Sequence, residues 1–342
     1  MPAVQFREVR IVSNSHHLTV TMIQKLFAHL ETMRPYTLLW CGLVSLLGAC
    51  LLYGDLPALK ISLLVFFIPI MGWIAGLYLA DYYDRTLDAI QKPYRPIPSG
   101  RISPREALAV GAVYAGIGLG LTLLFLPLIN IALVLVAGGL VLCYAKFTKA
   151  RGLLGNFNRG AMTVITYLFG IFSLSSYTSI PVSLWMLSFV FFFHDTNSNI
   201  IGAIRDVQGD KTGGYTTTPV RYGIRSTLLI SVLLSFLYLV LTAWLINVYA
   251  LVIYQVYFSM LFSAGILILC VMYLILFTST QTLTRKQSLS AHELFVTERI
   301  LFASAFIVGI AANHVLSFSI CIFSLIVTLL SQHLLRERYE LT

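Results

Sequence analysis

Apolar segments of membrane length divide this chain almost from end to end, and they limit what it can become. They read near 36–54, 58–81, 104–125, 127–145, 157–177, 181–204, 226–247, 249–277, 294–313 and 315–334. A bilayer crossing takes roughly 20 apolar residues in a helix, and most of these segments reach that. A water-soluble fold of 342 residues has no interior large enough for them, since 58% of the chain is hydrophobic and only 11% charged. The expected fold class is all-α, a polytopic membrane helical bundle. The segment near 294–313 is the weakest, because Glu298 and Arg299 fall in its first turns.

The basic residues give the bundle an orientation. With the N-terminus inside, the inner connections take Arg7, Arg10, Lys25 and Arg34, then Arg85, Lys92, Arg95, Arg101 and Arg105. They continue with Lys146, Lys149, Arg151 and Arg159, then Arg205, Lys211, Arg221 and Arg225. Arg285, Lys286 and Arg299 follow, and Arg336 and Arg338 close the chain. Only Lys60 falls outside. This positive-inside bias supports ten spans with both ends cytoplasmic. The net charge of +9 is spread over those loops, so no nucleic-acid partner is needed to explain it. Residues 18–33 read as an amphipathic helix lying on the inner surface. No cleavable leader is recognisable in the first 33 residues, which favours a prokaryotic plasma membrane. The cysteines at 41, 50, 143, 270 and 321 lack metal spacing and are expected to serve packing. The expected division is an interfacial segment over 1–33, a membrane domain over 34–313, and an added C-terminal span with a short tail over 314–342.

Acidic residues are scarce, 14 in all, and six sit in two clusters at the inner ends of apolar segments. The first is Asp81-Tyr-Tyr-Asp84-Arg-Thr-Leu-Asp88; the second is Arg205-Asp206-Val-Gln-Gly-Asp210, with Asp195 and Asn199 upstream. At 100° per residue, Asp81, Asp84 and Asp88 share one helix face. Asp195, Asn199, Gly202, Asp206 and Asp210 share another if the helix persists that far. Carboxylates at a hydrocarbon boundary are costly without a partner or a task. Salt bridges with neighbouring arginines and lysines are the plain alternative, but exposed ion pairs contribute little and do not call for two acidic stripes. The partner that suits them best is magnesium carrying a phosphorylated ligand, because Mg²⁺ uses one or two carboxylates, waters and phosphate oxygens. Lys92, Arg95, Lys149, Arg205 and Lys211 are placed to take the remaining phosphate charge.

Each cluster is followed by a loop rich in Gly, Pro and basic residues, Lys92–Gly100 in the first case and Gly209–Pro219 in the second. The prolines at 93, 96 and 98 forbid a continuous helix there. Recurrence of the pattern about 122 residues apart hints at an internal duplication.

Asp81-Tyr-Tyr-Asp84-Arg-Thr-Leu-Asp88 with Lys92-Pro-Tyr-Arg95-Pro-Ile-Pro-Ser-Gly100 resembles the first aspartate-rich motif of the UbiA-type intramembrane prenyltransferases. Arg205-Asp206-Val-Gln-Gly-Asp210-Lys211, followed by Gly214, Thr218-Pro219-Val220 and Gly223, resembles the second. Arg34-Pro35, and Tyr144 through Lys149 to Gly155-Asn156, also fit that group. The resemblance implies nine helices around a central cavity, leaving the tenth span as an addition. It further implies Mg²⁺ held by both motifs and transfer of an isoprenoid from a prenyl diphosphate donor to an aromatic or other lipophilic acceptor. Carried over by position, it makes Asp84, Asp88, Asp206 and Asp210 metal and diphosphate ligands and Arg95, Tyr144 and Lys149 diphosphate contacts. Where the group usually has Asn, this chain has Ala80, so Asp81 or Asn199 takes over that contact or one metal is held differently.

Asp195 is expected about 16 Å deeper along its helix than Asp206, where it holds the acceptor, takes up its proton, or bonds His194 or a backbone carbonyl. Phe191, Phe192, Phe193, Tyr167 and Trp185 are candidates for an aromatic wall facing a carbocation. His16, His17, His29, His292, His314 and His333 are read as interfacial. Two other functions fit less well: a terpene cyclase of the same fold, which needs no acceptor, and an ion-coupled transporter, whose acids belong nearer the midplane.

Overall fold

The computed structural model describes residues 22–174, 179–278 and 283–336, and every regular element among them is helical. In chain order these are α1 (Met22–Met33), α2 (Pro35–Tyr53), α3 (Leu59–Gln91), α4 (Pro104–Phe125), α5 (Leu128–Cys143) and α6 (Leu153–Phe172). They are followed by α7 (Val182–Thr212), α8 (Thr218–Tyr249), α9 (Gln255–Thr278), α10 (Arg285–Ile310) and α11 (His314–Ser331). α5 and α11 each run on into a π-helical turn, Tyr144–Thr148 and Gln332–Arg336.

Seven of these helices, α2, α3, α4, α5, α8, α9 and α11, are long and apolar enough to cross a membrane. The chain is an integral, multi-pass membrane protein. The other long helices, α6, α7 and α10, have 20, 31 and 26 residues and hold buried polar and charged side chains, among them Asn156, Asp195, His194, Glu298 and Arg299. Their polarity is tolerated because they face other helices, where partners replace water. α10 shows this most plainly, since every residue from Glu298 to Ile310 is buried. The segment that hydropathy ranks weakest is therefore an interior helix.

α3 and α7 do not stop at the membrane edge. Each continues as helix through its aspartate cluster, α3 to Gln91 and α7 to Thr212. α8 starts earlier than hydropathy suggests, at Thr218, and bends at Gly223, whose φ of 79° lies in the left-handed region open to glycine. α9 starts later, at Gln255; the linker before it is secured by the Ile253 and Tyr254 amides, which both donate to the Gly309 carbonyl at 2.9 and 2.8 Å. α3 packs on α4 and α7 on α8, so each aspartate-bearing helix has the helix after its loop as a neighbour.

α2 runs through the middle of the bundle, buried from Leu39 to Cys50, and touches α3, α6, α10 and α11. It approaches α6 at backbone distance, because Gly48 faces the Tyr167 carbonyl and Gly170 faces the Ser45 carbonyl. Small residues at such crossings let helices exchange van der Waals contact in a medium that offers no hydrophobic driving force.

α1 lies against α3 and α2, with Met22, Ile23, Leu26 and Phe27 exposed and Ala28, Glu31 and Thr32 buried; residues 18–21 of the expected amphipathic helix lie outside the described residues. It is pinned by Lys25 to Glu106 at 2.9 Å, Glu31 to Arg101 at 2.7 Å, and His29 Nδ1 to the Tyr78 hydroxyl at 2.7 Å. His29 is thus a tertiary contact as well as an interfacial residue. The five cysteines are free thiols, in keeping with a packing role.

Candidate active site

The two acidic stripes converge. Asp84 and Asp88 from α3, and Asp206 and Asp210 from α7, line one cavity of about 230 Å³ at the same end of the bundle. Lys92, in the turn after α3, spans the two helices by reaching Asp206 at 3.3 Å. The loop that positions it is tightly folded: the Lys92 amide donates to the Asp88 carbonyl at 2.7 Å, and Arg95 Nη1 donates to the Asp88 carboxylate at 2.8 Å. Lys92 and Arg95 are only 7% and 6% exposed, so this loop caps the cavity and is not a solvated hairpin.

The third side of the rim comes from the end of α5. There the π-helical turn adds a residue to the helical register, and Lys149 N–H bonds the Tyr144 carbonyl at 3.1 Å. π-bulges are frequent at functional sites because they re-aim side chains. Here both Tyr144 and Lys149 line the cavity, and Lys149 pairs with Asp84. A polar chain fixes their neighbours. Thr218 Oγ1 donates to Asn156 Oδ1 at 2.5 Å, Asn156 Nδ2 donates to Asn199 Oδ1 at 2.7 Å, and Asn199 Nδ2 reaches the Tyr144 hydroxyl at 3.3 Å. The loop after α7 is tied to the same edge, since Thr216 N and Oγ1 both donate to the Ala150 carbonyl, at 3.0 and 2.7 Å.

Asp206 and Asp210 lie past the apolar part of α7, in its last two turns, and their environments differ. Burial opposes ionisation of Asp206, but Arg205, at 2.5 Å, and Lys92 outweigh it and hold its carboxyl well below the usual carboxylate range. Burial together with the negative charge of Asp206 pushes Asp210 up to about 6, although Thr217 Oγ1 donates to it at 3.0 Å. A cation between the two would relieve that repulsion. Among the described residues no three acidic, histidine or cysteine side chains stand close enough to cage a metal by themselves. Carboxylates spread round one rim, with cations between them, fit Mg²⁺ that draws its other ligands from water and phosphate.

Not every residue singled out in the sequence reaches this cavity. Asp81 does not line it; its carboxylate is 4% exposed and is held by Arg34. Arg34 takes a left-handed conformation, φ 47°, at the start of α2, and its carbonyl accepts from Thr37 Oγ1 at 2.9 Å. Asp81 is thus turned away from the site and braces the α2–α3 junction. Of the two residues able to stand in at Ala80, only Asn199 lies at the cavity. Lys211 is exposed and also outside it, whereas Arg205 is part of the lining. Asp195, 0% exposed, sits behind the wall between Arg159 at 3.4 Å and Arg299 at 3.7 Å. Its neighbour His194 bonds Glu298 at 2.9 Å and stacks between Trp40 and Phe302.

The aromatic candidates are placed elsewhere too. Phe191 and Tyr167 are core residues at 0% exposure, Trp185 is exposed, and Phe192 and Phe193 do not line the cavity. The rings that do are Tyr36, Trp73 and Tyr144. His292, read from sequence as interfacial, is at the cavity and is bonded by Arg336 from the end of α11. Arg159, Arg299 and His292 carry no local motif. Arg159 and Arg299 signal only as charged side chains inside apolar segments, which by itself marks a functional candidate in membranes, and His292 falls just before one.

One expected result separates Asp81 from the rim aspartates. Asp81→Asn breaks a mostly buried ion pair and costs about 3 kcal/mol of stability, yet leaves Mg²⁺ dependence unchanged. Thermal unfolding alongside an Mg²⁺ titration of turnover checks both halves.

Next to the polar cavity lies an apolar groove of about 440 Å³ between α3, α4, α5 and α6. Trp73, Gly76, Val141 and Met162 line both spaces, so the groove opens directly onto the charged chamber.

Known proteins are similar to this chain. The profile of the UbiA prenyltransferase family matches residues 38–304. A digeranylgeranylglyceryl phosphate synthase of Korarchaeum cryptofilum is 34% identical over 222 residues, 64% of this chain and 75% of the relative. One from Thermococcus sibiricus is 32% identical over 209 residues, 60% of this chain and 72% of the relative. Among solved structures, a UbiA homolog from Aeropyrum pernix K1 superposes with a TM-score of 0.67 at 16% identity, covering 79% of this chain and 97% of that one. A UbiA homolog from Archaeoglobus fulgidus bound to DMAPP and Mg²⁺ gives 0.55 at 17% identity, covering 90% and 99%. At these identities the superpositions show the fold.

Proposed function

This chain belongs to the UbiA prenyltransferase family, and from that premise we propose that it moves a prenyl group from a prenyl diphosphate to the hydroxyl of a lipophilic acceptor inside the membrane, with Mg²⁺ as cofactor. The observation that carries the reading is the join between a chamber lined by Asp84, Asp88, Asp206 and Asp210 and an apolar groove walled by α3 to α6. A diphosphate and an isoprenoid tail need those two environments side by side. The bias of basic residues toward one set of connections supports a chamber mouth on the cytoplasmic side.

Asp84, Asp88, Asp206 and Asp210 would hold Mg²⁺, which would supply charge neutralisation of the diphosphate and so make it a better leaving group. Lys92, Arg95, Lys149 and Arg205 hold the remaining phosphate charge, with Tyr144 and Asn199 beside them. The bond between C1 of the prenyl chain and the diphosphate oxygen breaks, and its electron pair leaves with the diphosphate. The acceptor oxygen bonds to C1, and its proton passes to the released diphosphate. Trp73, at the join, and the groove beyond it keep water from the reacting carbon. Asn199 supplies the amide that Ala80 lacks.

The relatives' product, digeranylgeranylglyceryl phosphate, makes a geranylgeranylglyceryl phosphate the first acceptor to try, and a phenol the second. Purified protein is incubated with Mg²⁺, geranylgeranyl diphosphate and each acceptor. The expected result is a prenylated acceptor and free diphosphate in equal amounts, both lost on adding EDTA. A cyclic hydrocarbon formed from the donor alone would instead identify a cyclase.

A further inference from the structure

The deep wall of the chamber holds a cationic pair that the diphosphate machinery does not use. Arg159 on α6 and Arg299 on α10 both line the cavity, and the carboxylate they share is Asp195. Two guanidinium groups against one carboxylate leave a positive charge facing the chamber. Glu298 does not cancel it, because its carboxylate is taken up by His194 at 2.9 Å and the Tyr238 hydroxyl at 3.3 Å, and it lies outside the lining. Arg299 is 4% exposed, makes a single 3.4 Å bond to Ser198 Oγ, and has a buried Nε with no hydrogen-bond partner.

Both guanidinium planes are held in place. Arg159 lies over the Trp73 ring at 4.1 Å and Arg299 over Trp40 at 5.7 Å, while Asp195 braces them from behind. A surplus cation at this depth is expensive unless something negative arrives to meet it. The planar fork of arginine suits phosphate and carboxylate oxygens in pairs. Asp195 precedes Asp206 by eleven residues on one helix, about 16 Å of rise. An anion at the arginines is therefore kept apart from the donor diphosphate at the rim.

We propose that Arg159 and Arg299, braced by Asp195, form a second anion subsite that binds the phosphate or carboxylate of the acceptor. The enzyme then selects acceptors that carry a negative group near the hydroxyl to be prenylated. This rests on the transferase reading above. Asp195 acts here as a positioning residue, because it reaches the chamber only through the arginines.

The test uses full-length protein in detergent with Mg²⁺ and geranylgeranyl diphosphate, and three acceptors: geranylgeranylglyceryl phosphate, its dephosphorylated alcohol, and hydroxybenzoate. The expected result is a kcat/KM for one of the two anionic acceptors about 100-fold above that of the alcohol; which one it is tells phosphate from carboxylate. Arg159→Gln raises the KM for that acceptor by about 10-fold or more and erases most of the preference, with the KM for the donor unchanged. Arg159→Lys restores part of it, and Arg299→Gln repeats the effect if it folds. Equal use of the neutral alcohol by the unmodified enzyme overturns the subsite. So does an Arg159→Gln variant that slows all acceptors alike. Mg²⁺-dependent binding of labelled donor is measured in parallel. Donor bound without any anion preference sinks the subsite alone, whereas no donor binding sinks the transferase reading and the subsite with it.

Discussion

Asp206→Ala is expected to reduce prenyl transfer by about 1,000-fold or more, and Asp84→Ala by a similar factor. Both carboxylates line the chamber, one from each helix, and each sits among cations proposed to hold the diphosphate: Lys92 and Arg205 around Asp206, Lys149 beside Asp84. Removing the carboxylate deletes a proposed metal ligand but leaves those cations in place. Donor binding should therefore persist, and in the absence of Mg²⁺ it should even strengthen, while turnover collapses. The defect then appears in kcat and in the Mg²⁺ concentration needed for half-maximal rate, and not in the donor KM. Steady-state diphosphate release across an Mg²⁺ titration reads both quantities. If either variant keeps turnover within about 10-fold of the parent, the assignment of these residues to the metal is wrong.

Gly170→Val is expected to abolish stable folding, with a loss of more than about 4 kcal/mol. A Cβ at Gly170 lands on the Ser45 carbonyl and approaches the Ala49 amide at 3.1 Å. These are backbone atoms of α2, so no rotamer change on either helix gives relief. The crossing has a second clash point at Gly48, whose Cβ would meet the Tyr167 carbonyl. α2 also packs on α10, so displacing it from α6 disturbs a second interface. Gly116→Ala and Gly138→Ala serve as controls, because nothing lies within 4 Å of a Cβ at either. Both should be neutral or slightly stabilising, since alanine is the better helix residue by up to about 1 kcal/mol. Thermal unfolding and monodispersity in detergent distinguish the two classes. A Gly170→Val protein that unfolds at the parent's temperature would refute the close α2–α6 contact.

The membrane class and the two acidic stripes are readable from the chain because each is local. Hydropathy depends on residues within one segment, and the spacing of Asp84 with Asp88, or Asp206 with Asp210, sets a common face on one helix. Helix count is harder. α10 is buried throughout from Glu298 to Ile310 yet scores weakly, because Glu298 and Arg299 lower its hydropathy while making contacts that place it inside. The same cause misplaced the aromatic wall: Phe191 and Tyr167 fill the core, and Trp73, one aromatic among many in α3, reaches the chamber.

Sequence by itself determined a polytopic bundle, the connections in which its basic residues gather, and two carboxylate stripes with the residue types that magnesium and a diphosphate require. Tertiary structure alone decided that the stripes share one chamber, that Asp81 turns to Arg34 while Asp84 and Asp88 face in, and that Arg159 and Arg299 gather round Asp195. Periodicity orients a side chain about its own helix axis. The rotation of that helix against its neighbours, and hence which charge meets which, is set by packing between residues as distant as Ser45 and Gly170.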